Sequence, residues 1–226
     1  MRAMLLLAIA LSSAGLPAPK RHTVVCDQRS YDYVLSVPKS HDRAPAIMLL
    51  HGAGGQASEM VELWAPLAAR EHIVLIAPQL PRELAFEQMA PAVFRCVLAD
   101  AERLAAIDSG RAYLFGYSMG GYLTYDGAMF DSDIFAGAGV YAAVIDPDYD
   151  SILDHATRKI PVAIFIGDHD QFNPVDGARQ TRDLLVQHGF PVHYREFPGQ
   201  DHAYSPVGDS VNADAWRFLS AYRLPE

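Results

Sequence analysis

The chain has few basic residues. Its 226 residues carry 18 Lys and Arg against 27 Asp and Glu, a formal net charge of −9. Nucleic acids are held through clustered Lys and Arg. The sequence has no such cluster, which excludes nucleic acid as the main partner. The acidic excess favours solubility and does not name a substrate. There are 2 cysteines, Cys26 and Cys96, and neither sits in a C-x-x-C or metal-ligand spacing. No H-x-H or H-E-x-x-H occurs. The lone Asp168-His169-Asp170 run is not diagnostic of a metal site. Neither metal nor organic cofactor is expected. Repeats and low-complexity segments are absent.

Long apolar runs are absent too. Met4 to Leu11 is the longest near the start, and it falls short of the roughly 20 residues a membrane span requires. Arg2 precedes it, and the small residues Ser12, Ser13 and Ala14 follow. This is a signal-peptide pattern. The expectation is a leader over residues 1–18, cut near Ala14 or Ala18, and an exported periplasmic or extracellular protein with no stable membrane anchor. Residues 19–226 then form one catalytic domain, a length that suits one core. In an oxidising compartment Cys26 and Cys96 can pair. Two unrelated thiols is the other possibility, and the sequence leaves both open. It also leaves the oligomeric state open.

What is present alternates. Thr23 to Cys26 and Tyr31 to Val37 read as an opening hairpin. Ala46 to Leu50 and Ile73 to Ala77 are continuous apolar runs, the signature of strands buried on both faces. A helix capped by Ser58 is expected between them, running to about Arg70. Ala90, Val93, Phe94, Val97, Leu98, Ala101 and Leu104 share one helical face, with Cys96 off it. Further strands are expected over Arg111 to Phe115, Gly137 to Ala143, Pro161 to Ile166 and Val192 to Phe197. Helices are expected over Ser118 to Met129, Val175 to Gln187 and Asn212 to Tyr222. Strands alternating with helices imply an α/β fold with a mainly parallel central sheet and helices on both faces.

Gly116-Tyr117-Ser118-Met119-Gly120 matches G-x-S-x-G between a strand and a helix. Such a turn holds its serine in a strained backbone, and the flanking positions must lack side chains. A serine hydroxyl needs a base, and the base needs an orienting acid. In this arrangement the chain order is Ser, Asp or Glu, then His. His202 is the only histidine after the last expected strand and is the expected base. Asp170 stands a few residues past its strand, with reach toward that histidine. Asp168 is nearer the strand and suits a bracing role, and Asp146 is a distant third.

His51-Gly52-Ala53-Gly54-Gly55 follows another strand and suits an oxyanion hole, in which two backbone N–H groups receive the developing charge. Met119 and Ala53 are the expected donors, and His51 is expected to order the loop. The same glycines fit the dinucleotide pattern G-x-G-x-x-G/A. That pattern calls for an acidic residue at the end of the next strand, which instead runs into Pro78-Gln79. Tyr117, Met119, Phe172 and Tyr204 flank the site and are candidates to line a substrate pocket or to belong to the core.

These stretches resemble the α/β-hydrolase superfamily. RSYDYVLSVP, IMLLHGAGG, IDSGRAYLFGYSMGG, GDHDQFNP and GQDHAYSP carry the resemblance, and within the superfamily they are similar to small secreted feruloyl esterases and polyhydroxybutyrate-depolymerase-like proteins. Relatives similar to dienelactone hydrolases carry a cysteine nucleophile, whereas this position is Ser118. The stretch from Asp146 to Lys159 is too short for a large lid. The resemblance implies a single-domain serine hydrolase acting on a small-molecule or polymer-end ester, with an open pocket and no cofactor. A peptidase or amidase, or a catalytically silent binding protein on the same fold, remains the alternative.

Overall fold

The computed structural model describes residues 17–39, 42–81 and 91–225. The expected leader over residues 1–18, including Ala14, falls largely outside the described residues, as does Ala90 of the expected apolar stripe.

Eight strands form one sheet. They are β1 (Lys20–Cys26), β2 (Arg29–Ser36), β3 (Ala44–Leu50), β4 (Val74–Pro78), β5 (Ile107–Tyr117), β6 (Gly137–Tyr141), β7 (Val162–Gly167) and β8 (Val192–Phe197). Their order is β1-β2-β4-β3-β5-β6-β7-β8. The hairpin β1–β2 and the β2–β4 pair are antiparallel, and every pair from β4 to β8 is parallel. The helices are α1 (Ala57–Glu71), α2 (Pro91–Leu104), α3 (Met119–Phe130), α4 (Val175–Gln187) and α5 (Gly208–Leu219).

The period of two along a strand explains the continuous apolar runs. In β3, Ile47 and Leu49 join one buried cluster while Met48 and Leu50 join the other. α1 and α5 cover the first face with Trp64, Val211 and Leu219. α2 and α3 cover the second with Phe94, Val97 and Leu123. A strand sandwiched this way has no solvent face, so alternation vanishes from its sequence. The chain leaves β3 for β4 on one side and later returns to β5 on the other. That reversal opens a crevice at the strand C-terminal ends, where ligands bind in open α/β sheets.

Several boundaries differ from expectation, three of them instructively. Gln56, not Ser58, is the N-cap of α1, in a reciprocal capping box with Glu59. β6 ends at Tyr141 because Ala142 turns to φ 58°. α5 begins at Gly208, one turn before Asn212. Between β6 and β7 stands only a short 3₁₀ helix, Pro147–His155, which matches the expected lack of a large lid there.

Cys26 and Cys96 form a disulfide joining β1 to α2 across a separation of 70 residues. Closing a loop of that length removes much of the unfolded chain's freedom. Replacing either cysteine by serine is expected to cost about 4 kcal/mol. Urea unfolding of Cys26→Ser beside reduced wild type checks this. A loss below about 1 kcal/mol in both would show that the link does not close this loop in solution.

Candidate active site

Ser118 occupies the tight turn between β5 and α3, at φ 52° and ψ −119°. A residue with a side chain adopts this region at a cost of about 1–3 kcal/mol, so the surroundings must hold it there. They do so by close packing. A Cβ on Gly116 would stand 2.1 Å from the Gly120 carbonyl oxygen, and one on Gly120 would stand 2.1 Å from the Leu50 carbonyl oxygen. The Ser118 N–H donates to the Tyr141 carbonyl at 3.0 Å, and its own carbonyl accepts from Gly121 at 2.8 Å. The hydroxyl is thereby fixed above the N-terminus of α3, where the helix dipole favours negative charge.

The other two side chains arrive from β7 and β8. Asp170 Oδ1 accepts the backbone N–H groups of Phe172 at 2.8 Å and Asn173 at 2.9 Å. Asp170 Oδ2 lies 2.7 Å from His202 Nδ1, and His202 Nε2 lies 2.9 Å from Ser118 Oγ. The Asp170 side chain is 0% exposed and that of His202 15%. A carboxylate only accepts, so the proton sits on Nδ1 and the Nε2 lone pair faces the hydroxyl. The loops themselves touch: a Cβ on Gly167 would meet the Gln200 carbonyl oxygen at 2.2 Å.

Asp168 braces this contact. Its Oδ1 accepts the Gly199 N–H at 2.6 Å, in the loop that carries His202. Asp146 lies elsewhere and caps the 3₁₀ helix through the Asp148 N–H.

The His51–Gly55 loop packs against the elbow. A Cβ on Gly52 would stand 2.9 Å from the Tyr117 ring and 3.5 Å from Ser118 Cβ. Met119 opens α3, so its N–H belongs to the first turn that a helix leaves without an intrahelical acceptor. Ala53 sits at the exposed tip of the loop. His51 is buried. Its Nδ1 donates to the Gly52 carbonyl at 2.7 Å, and its Nε2 accepts the Leu80 N–H at 2.9 Å. Burial holds its pKa below the ordinary imidazole value, which keeps it neutral.

A cleft of about 540 Å³ opens beside the elbow, lined by Gly52, Ala53, Met60, Leu63, Tyr117 and Tyr204 among others. Tyr117 lies 5.4 Å from the His202 ring and stacks on Tyr204 at 5.5 Å. Burial raises the Tyr117 phenol above its ordinary pKa, with smaller help from Asp170 and Asp201. Tyr204 is both lining and core, for its hydroxyl donates to buried Asn212. Phe172 is 70% exposed, and its ring meets His202 edge-on at 4.9 Å, outside the cleft lining.

Two residues carried no signal in the sequence. Asn173 accepts from the Tyr122 hydroxyl and donates to the Ala142 carbonyl at 2.9 Å, pinning the Asp170 loop to the end of β6. Gln79 Nε2 lies 2.9 Å from His51 Nε2 and donates to the Gly55 carbonyl at 3.3 Å. Neither belongs to a motif, and both act through contacts distant in sequence.

The family model of the dienelactone hydrolases matches residues 32–222. The chain belongs to that family. This member bears serine at the elbow, Ser118. No curated protein matches it in sequence. Among solved structures, a thermostable esterase superposes with a TM-score of 0.73 at 22% identity, over 91% of this chain and 63% of its own. An S-formylglutathione hydrolase from Agrobacterium tumefaciens gives 0.73 at 15% identity, over 93% and 100%. An acylaminoacyl peptidase from Pyrococcus horikoshii gives 0.70 at 15%, over 92% and 41%. At these identities the likeness establishes the shared fold. The chain spans less than two thirds of the length of the thermostable esterase.

Proposed function

We propose that this dienelactone hydrolase family member is an exported serine esterase that cleaves small or polymer-end carboxylic esters through an acyl-enzyme on Ser118. One observation carries the proposal: Ser118 Oγ, His202 and Asp170 form an unbroken line of hydrogen bonds at 2.9 and 2.7 Å. His202 Nε2 takes the hydroxyl proton as Oγ attacks the ester carbonyl. Asp170 holds the tautomer and balances the imidazolium that forms. The Met119 and Ala53 N–H groups receive the oxyanion. The alcohol leaves with the proton from His202, and water repeats the cycle on the acyl-enzyme. The residues over 1–18 serve as the export leader. The disulfide fits this destination, because such bonds persist in oxidising compartments.

The cleft favours modest substrates. Its volume of about 540 Å³ suits a short acyl or alcohol group, and Met60, Leu63 and Tyr117 give it an apolar wall. Hydrolysis of p-nitrophenyl esters from acetate to palmitate, beside labelling with a fluorophosphonate, tests the proposal. The expected result is fastest turnover of acetate and butyrate, with the label on Ser118. Preference for palmitate would overturn the assignment to small esters. A folded protein that turns over no ester and takes no label would overturn the esterase. Amide substrates run alongside separate it from a peptidase.

A further inference from the structure

The loop that supplies the second oxyanion donor has little to hold it. Residues 51–56 contain one internal backbone bond, Gly55 N–H to the Gly52 carbonyl at 3.1 Å. Gly54 sits at φ 71° with nothing within 4 Å of where a Cβ would stand. Ala53, whose N–H must point at a developing charge, is exposed. Yet a displacement of about 1 Å in such a site is enough to lose 10²-fold in rate. Something outside the loop must fix its height.

That something is the segment just after β4, Gln79 and Leu80. The Gln79 backbone N–H donates to the Asp32 carbonyl of β2 at 2.8 Å, anchoring the residue in the sheet. Its side chain then divides. Oε1 accepts the Ala57 N–H at 3.1 Å, the first amide of α1. Nε2 lies 2.9 Å from His51 Nε2 and donates to the Gly55 carbonyl at 3.3 Å. His51 Nε2 also accepts the Leu80 N–H, while His51 Nδ1 donates to Gly52. The neutral imidazole thus has its lone pair filled from Gln79 and Leu80, just past β4, and its proton spent on the loop. One glutamine grips both ends of the His51–Gly55 segment and the helix that follows.

We infer that Gln79 is a positioning residue for the oxyanion hole. It sets the His51–Gly55 loop so that the Ala53 N–H is presented to the transition state. The inference rests on the serine esterase proposal, and touches the substrate only through the loop. An interaction that matters only in the transition state lowers kcat while leaving KM in place.

Two variants separate the contacts. Gln79→Ala removes all of them. Gln79→Glu keeps the shape and the acceptor for Ala57, but sets a carboxylate oxygen against the Gly55 carbonyl and the His51 lone pair. The expected result for both is a fall in kcat on p-nitrophenyl acetate, per site titrated with fluorophosphonate, of between tenfold and about 10²-fold. That is below the cost of losing a donor outright. KM should stay within about threefold, because the apolar wall of Met60, Leu63 and Tyr117 does not depend on Gln79. Hydrogen exchange at the Ala53 to Gln56 amides should quicken in both variants, a readout that needs no turnover. Wild-type kcat in both variants, or unchanged loop exchange, would overturn the inference. If the wild type itself turns over no ester, the exchange result still decides whether Gln79 holds the loop, and the failure belongs to the proposed activity.

Discussion

Ser118→Ala is expected to lower kcat on p-nitrophenyl esters by about 10⁶-fold while leaving the fold in place. The serine supplies the attacking oxygen, and among the described residues no other hydroxyl is paired with His202. Without it, no acyl-enzyme forms, and only the oxyanion donors and the cleft remain to favour attack by water. The fold should survive for a separate reason. The backbone at φ 52° is imposed by Gly116, Gly120 and the bond from Ser118 N–H to Tyr141, none of which involves Oγ. Alanine carries the same Cβ, so the strain neither grows nor eases. Among the described residues, the hydroxyl's hydrogen bond to His202 is the one given up. Stopped assays at high enzyme concentration, with thermal melts beside them, check both halves. Retention of more than about 1% of wild-type kcat would remove Ser118 from the chemistry.

The strands, the elbow and the chain order Ser118, Asp170, His202 were legible because each rests on local constraint. A strand buried on both faces must be apolar throughout, and a nucleophile elbow must place glycines at fixed offsets. The choice of Asp170 over Asp168 followed from reach; Asp170 lies 2.7 Å from His202, while Asp168 accepts the Gly199 N–H. What stayed hidden depends on partners far away in the chain. Gln79 looked like the mere absence of a ribose-binding acid, and its value appears only once β4 is set beside the His51 loop. Ser58 was the conventional cap, yet Gln56 takes that place through its reciprocal bonds with Glu59. The pairing of Cys26 with Cys96 was undecidable because β1 and α2 meet only in the folded sheet. Local rules write the chemistry of this site, and long-range packing writes its precision.

Asp170→Asn should cost about 10⁴-fold in kcat with little change in KM. The reasoning turns on which atom carries a proton. Asparagine can keep Oδ1 beneath the Phe172 and Asn173 N–H groups, the two bonds that shape the loop. Its Nδ2 then faces His202 Nδ1, where Oδ2 stood at 2.7 Å. An amide donates there, so Nδ1 must accept and the ring proton moves to Nε2. The base then points a proton at the serine hydroxyl instead of a lone pair. The imidazolium also loses its counter-charge. Fold and cleft are untouched, so substrate binding persists. Asp170→Ala separates catalysis from stability: it leaves the Phe172 and Asn173 N–H groups unpaired, the second of them buried, and a further loss of about 1–3 kcal/mol in unfolding free energy is expected. Asp168→Asn is the control. It keeps an acceptor for Gly199 and should hold kcat within a few-fold of wild type. Steady-state kinetics on the three variants, with melts, give the answer. If Asp168→Asn lost activity as deeply as Asp170→Asn, the acid would be misassigned. If neither did, His202 would need no carboxylate to act, and the relay from Asp170 through His202 to Ser118 would be geometry without a catalytic role.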